Sequence, residues 1–242
     1  MQKFIPIALL AILIVGCKGG DTTAATTGGS TGTAATGSTP SADKTFTFKF
    51  APKAGDKFSY GMKVDGGPQQ QMEMGMTMVC DKVEGDKSTL TMSIDSMKMN
   101  GADAPAAVLD AMKKSKTTME MDSTGKTLSV KSDTPGATTS GFAGASFPTK
   151  AVKVGEEWEG TSNAGGKETK AKYKLASIEN TGGKELAVLE VTPEGMTGVT
   201  LDGPMIVKID VANGMTHSMS MKGKTKDGTG KDIPMSMEMS LK

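Results

Sequence analysis

Gln71-Met72-Glu73-Met74-Gly75-Met76-Thr77-Met78-Val79-Cys80 puts a sulfur-bearing side chain at every second position for nine residues running. A period of two belongs to extended backbone, where alternate side chains leave opposite faces; a helix would space its apolar residues by three and four. The stretch predicts a strand with one face on a core and one in water. Working outward, the same alternation recurs in Phe46, Phe48 and Phe50, and in Phe58, Tyr60, Met62 and Val64. It returns in Met205, Val207, Ile209 and Val211, then in Met215, His217, Met219 and Met221, then in Met235, Met237, Met239 and Leu241. Turn signals separate the runs: Glu84-Gly85-Asp86, Ser123-Thr124-Gly125, Asn180-Thr181-Gly182-Gly183, Asn213-Gly214 and Asp227-Gly228. The expected fold is mainly β, an antiparallel curved sheet or half-barrel of about a dozen strands. One short helix is predicted over Asp103 to Lys114, with Asp103 as N-cap and Pro105 in the first turn.

Charge excludes several functions. The 242 residues carry 28 basic and 27 acidic side chains, and every basic one is lysine. No basic field exists to hold nucleic acid, and no guanidinium fork exists to grip phosphate or carboxylate. One histidine and two cysteines do not make a zinc hydrolase of the His-rich kind.

Met1-Gln2-Lys3 is a short positive segment, and Phe4 to Val15 is an apolar run too short to cross a bilayer, of the length of a signal-peptide core. It ends in Ile14-Val15-Gly16-Cys17, which resembles the lipobox of bacterial lipoproteins. That resemblance implies a signal peptide over residues 1–16 and a diacylated Cys17, which gives a stable hold on a membrane. From Lys18 to Lys44 the chain turns to Gly, Thr, Ala and Ser, with no apolar residue larger than alanine. Nothing there offsets the entropy of ordering, so residues 17–44 read as a lipidated cysteine and a tether. A flexible coil of that length spans about 29 Å root-mean-square. Residues 45–242 are left as the β-rich domain.

Landmarks recur within that domain. Lys53-Ala54-Gly55-Asp56-Lys57-Phe58 matches Lys153-Val154-Gly155-Glu156-Glu157-Trp158; Val83-Glu84-Gly85 matches Ile178-Glu179-Asn180; Asp122-Ser123-Thr124-Gly125 matches Asp210-Val211-Ala212-Asn213-Gly214. Their common order predicts two similar halves, about 45–150 and 151–242, each a Gly-Asp/Glu turn, a long hairpin and a second hairpin. Ala54-Gly55-Asp56-Lys57-Phe58-Ser59-Tyr60, Phe147-Pro148 and the ending Ile233-Pro234-Met235-Ser236-Met237-Glu238-Met239 are together similar to an uncharacterised family of Met-rich bacterial lipoproteins. The resemblance implies an anchored protein of the cell envelope and carries no activity or site residues with it.

Few side chains suggest chemistry. Thioether sulfur is a soft donor suited to Cu(I), and Met215, His217, Met219 and Met221 form a row that includes the one imidazole. The same alternation serves packing, because methionine fills irregular gaps in a chain with few aromatic residues. Cys80 closes another row and reads as a buried thiol. Glu156, Glu157 and Glu159 flank Trp158, and the matching turn of the first half has Asp56, Lys57 and Phe58, which keeps the aromatic but not the set of acids and favours a core plug with solvated carboxylates. Lys170, Lys172 and Lys174 read as the wet face of a strand. No Gly-x-Ser-x-Gly elbow accompanies His217. The expectation is a non-enzymatic, membrane-anchored envelope protein that binds an apolar ligand or an envelope protein partner. A Cu(I)-binding lipoprotein is the alternative, and a hydrolase is the least supported reading.

Overall fold

The computed structural model describes residues 44–67, 70–133, 146–164, 167–195, 198–226 and 230–242. The leader, Cys17, nearly all of the tether and the Asp227-Gly228 turn lie outside the described residues.

Fifteen strands and one helix follow in order. They are β1 (Thr45–Phe46), β2 (Lys57–Asp65), β3 (Gln71–Glu84), β4 (Lys87–Met99), β5 (Ala102–Asp103), α1 (Ala106–Lys114), β6 (Lys116–Asp122) and β7 (Thr127–Ser132). Then come β8 (Val152–Lys153), β9 (Glu157–Ala164), β10 (Lys167–Thr181), β11 (Lys184–Pro193), β12 (Val199–Leu201), β13 (Met205–Asp210), β14 (Thr216–Lys226) and β15 (Asp232–Leu241). Every pairing is antiparallel. The main sheet runs β7-β6-β4-β3-β2-β15-β14-β13-β11-β10-β9, with β5 and β12 beside it, and β1 pairs β8 separately. The sheet is open and curved, and its two edge strands lean toward one another without forming a ladder.

That order is one five-strand motif written twice. β7-β6-β4-β3-β2 corresponds to β14-β13-β11-β10-β9, and β15 joins the two. The correspondence reaches single hydrogen bonds. Gly55 and Gly155 both take positive φ, 89° and 93°. The amide of Gly55 donates to the Cys80 carbonyl and that of Gly155 to the Leu175 carbonyl, each at 2.7 Å. Asp56 and Glu156 each accept from the amide three residues back, Lys53 and Lys153, at 2.8 Å. A bulge interrupts β3 between Cys80 and Lys82 and β10 between Leu175 and Ser177. A second interrupts pairing after Glu120 in the first half and after Lys208 in the second. Asp122 and Asp210 each cap their turn, Asp122 Oδ1 accepting from the Thr124 amide at 2.9 Å and Asp210 Oδ1 from the Ala212 amide at 3.0 Å.

The core lies where the curved sheet faces itself. Leu90 and Met121 of the first half meet Tyr173, Leu175, Leu189, Val207 and Ile209 of the second, with Phe46, Phe48, Phe50 and Phe147 among them. The Phe46–Phe50 alternation therefore marks burial, but only Thr45–Phe46 is strand. The segment crosses the core as a filler instead of joining the main sheet, so its alternate rings are buried without a long ladder. The helix also differs from expectation, starting at Ala106 with Pro105 as N-cap. Ala104 precedes a proline, which disfavours helical backbone there, and Ala102–Asp103 stays extended to pair with β4.

Candidate functional site

Register turns separate methionine runs into a surface. Met219 on β14 is opposite Met239 on β15, which is opposite Met62 on β2, which is opposite Met74 on β3, which is opposite Met97 on β4. A second row, two residues along each strand, reads Met221, Met237, Val64, Met72 and Met99. Directly opposed side chains in such pairs have Cβ atoms about 5 Å apart. Five strands make four spacings, so each row runs about 19 Å, and the rows lie about 7 Å apart.

These rows continue the core face. Phe58, Met78 and Met219 pack against the main core and also against a second cluster built on Tyr60, Met76 and Met239. Beyond that cluster the burial fades. Met62, Val64, Met72, Met74, Met97 and Met237 are half-buried, and Met99 is 45% exposed. The opposite face of the same strands carries Lys63, Glu73, Lys98 and Glu238 in contact with water. One side is thus a thioether floor, filled by aromatic rings toward one end and open toward the other.

The duplication shows how much of this the fold requires. Counterparts of Met62, Val64, Met72 and Met74 in the second half are Ser162, Ala164, Lys167 and Thr169. The same strand pair therefore forms without methionine. Counterparts of Phe58 and Met78 are Trp158 and Tyr173, whose rings stack at 5.6 Å and 8°. Trp158 plugs the core, its indole N–H donating to the Ser146 carbonyl at 2.7 Å, while Glu156, Glu157 and Glu159 are exposed. Glu156 closes its own turn, its Oε2 accepting from the Lys153 amide at 2.8 Å. Lys170 and Lys172 are exposed on β10, and Lys172 and half-buried Lys174 flank buried Tyr173.

His217 is the extra residue of the β14 bulge: Ser218 pairs with Lys208 and Thr216 with Ile209, leaving it unpaired. Its Nδ1 is buried and makes no hydrogen bond among the described residues. An unsatisfied buried polar atom costs about 1–3 kcal/mol. Tyr60 reaches the same place, its hydroxyl donating to the Thr216 carbonyl at 3.0 Å, and burial holds its phenol far above the ordinary range. Met215 is buried in the main core and Met219 lies two residues from His217 on the same strand. Met221, four residues from His217, is about 13 Å along the strand and pairs with Met237. The expected four-residue row is therefore divided, because strand rise separates its ends. Met239, opposite Met219, is the nearer third donor, and sequence spacing alone could not rank it above its neighbours Met235 and Met237.

Cys80 is fully buried, with its thiol pushed up by that burial and further by Asp56 and Asp81, against a hydrogen bond from the Lys82 backbone. Among the described residues no three His, Cys, Asp or Glu side chains gather as a metal cage, and no helix is long and apolar enough to cross a membrane.

No family model matches the chain, and no curated protein matches it. Among solved structures it is similar to a LolA superfamily protein from Nitrosomonas europaea at 9% identity, covering 79% of this chain and 87% of that chain with a TM-score of 0.27. A likeness at that level bears neither on the fold nor on the ligand.

Proposed function

We propose that the protein is a non-enzymatic binding module of the cell envelope, held to a membrane through lipidated Cys17, whose thioether floor takes an apolar ligand. The observation that carries this reading is the double row of nine methionines and Val64 across β14, β15, β2, β3 and β4, whose four β2 and β3 positions the second half fills with Ser, Ala, Lys and Thr. Flexible, polarizable methionine moulds to varied apolar shapes at low strain, which suits an adaptable surface better than a fixed one.

The test uses the full chain carrying Cys17→Ser, with N-phenyl-1-naphthylamine as a fluorescent apolar probe. Saturable enhancement at about one probe per chain is expected, weakened at least tenfold by Met74→Glu, while Lys63→Glu on the opposite face leaves it unchanged. Probe binding that is absent, or equal in all three proteins, would overturn the reading. Anchoring is tested separately by incorporation of labelled palmitate, which Cys17→Ser abolishes if the leader is processed as proposed.

A further inference from the structure

We propose that His217, Met219 and Met239 form a Cu(I) site at the β14 bulge. Three observations converge. His217 is displaced from the ladder by the bulge and presents a buried ring nitrogen with no protein partner. Met219 follows two residues later on the same strand, and Met239 is directly across from it. One imidazole and two thioethers are neutral, soft donors, the set that suits a monovalent soft ion and gives little to magnesium, calcium or manganese.

The first half is an internal control. Its bulge has the same hydrogen-bonding register, and its residues in place of Met215, His217, Met219 and Met221 are Lys126, Leu128, Val130 and Ser132. The bulge therefore forms without any soft donor, and leucine and valine satisfy its packing. Histidine and methionine in the second copy are additions that the backbone does not ask for. The site shares Met219 and Met239 with the buried end of the floor, whereas the apolar-ligand reading rests on the open end around Met74 and needs no metal.

The first copy also supplies the variants. The full chain carrying Cys17→Ser is titrated anaerobically with Cu(I) held by bicinchoninate, alongside His217→Leu and Met219→Val, which install the first half's own residues. The unmodified site is expected to withdraw one Cu(I) per chain from the chelator, and each variant to bind at least tenfold more weakly while still unfolding in one cooperative transition. On Cu(I) addition, the His217 ring nitrogen resonances should shift, and X-ray absorption should report one nitrogen and two sulfur neighbours. Failure to compete with bicinchoninate, or equal competition by both variants, would overturn the site. His217→Leu, which lies outside the methionine rows, should leave N-phenyl-1-naphthylamine binding unaltered, so the two proposals fail separately.

Discussion

Cys80 and Leu175 occupy one position in the two halves: each carbonyl receives a glycine amide at 2.7 Å, from Gly55 and Gly155, and each side chain is fully buried. A thiol that replaces leucine at a core position is there for its volume. Native protein carrying Cys17→Ser is therefore expected to leave Cys80 unmodified by a thiol-exchange reagent for hours, and to react fully once denatured. Rapid labelling of the native chain would mean that the site opens to solvent. Cys80→Ala, read by chemical denaturation, should cost about 1–2 kcal/mol, the smaller end of core truncations.

Gly214 closes the β13–β14 turn with φ +70°, and a Cβ there would stand 2.5 Å from the Lys49 carbonyl oxygen. Gly85 closes the β3–β4 turn with φ +61° and has open space around it. Alanine at both positions strains the backbone, but only at Gly214 must a second segment move. Gly214→Ala is expected to lose about 2–4 kcal/mol and Gly85→Ala about 1 kcal/mol. Equal losses would show that Lys49 gives way freely, and that the Phe48–Phe50 segment is not held against this turn.

Tyr60 and Tyr173 are both buried, and burial raises both phenols, with a backbone hydrogen bond from Ser146 opposing the shift at Tyr173. A phenol raised in the folded chain contributes stability fully present below its unfolded value, about pH 10, and lost as pH climbs from there toward the folded value. The denaturation midpoint should thus hold steady from about pH 7 to 9 and fall above about 10. Tyr60→Phe removes one titrating group and the hydrogen bond to Thr216, so it should begin lower and fall less steeply. Parallel curves for the two proteins would assign the alkaline loss to other groups.

Trp158 is the one tryptophan, stacked on Tyr173 and bonded to Ser146. Trp158→Phe keeps a ring, as its counterpart Phe58 does, but leaves the Ser146 carbonyl without its donor. A loss of about 1–3 kcal/mol is expected by denaturation. Solvent-like fluorescence from Trp158 in the native chain would contradict the stacked, half-buried ring.

Much of this was legible along the chain, and the unread part has physical causes. Alternation identified strands because period two survives any register, and the Gly-Asp and Asp-Ser-Thr-Gly turns announced the duplication because their side chains bond locally. Cross-strand order was not legible. Met62, Met74 and Met97 look alike in sequence as members of separate runs, and only pairing shows that they share a row with Met219 and Met239. Phe48 and Phe50 misled for the opposite reason: they are buried by tertiary packing, with no long ladder behind their alternation. Asp103 looked like a helix cap, yet β4 offered an edge and Pro105 delayed the turn. His217 stood out only as the lone imidazole. Its place in a bulge, with an unpartnered nitrogen, depends on a one-residue slip that composition does not record.

β15 is the stitch between two five-strand panels, and it pairs with a strand laid down near the opposite end of the domain. Its late arrival makes assembly all-or-nothing: a chain clipped or stalled before residue 232 holds two panels with raw, methionine-lined margins at Met62 and Met219. Such margins are adhesive, so the same surface that serves a finished molecule marks an unfinished one for aggregation or proteolysis.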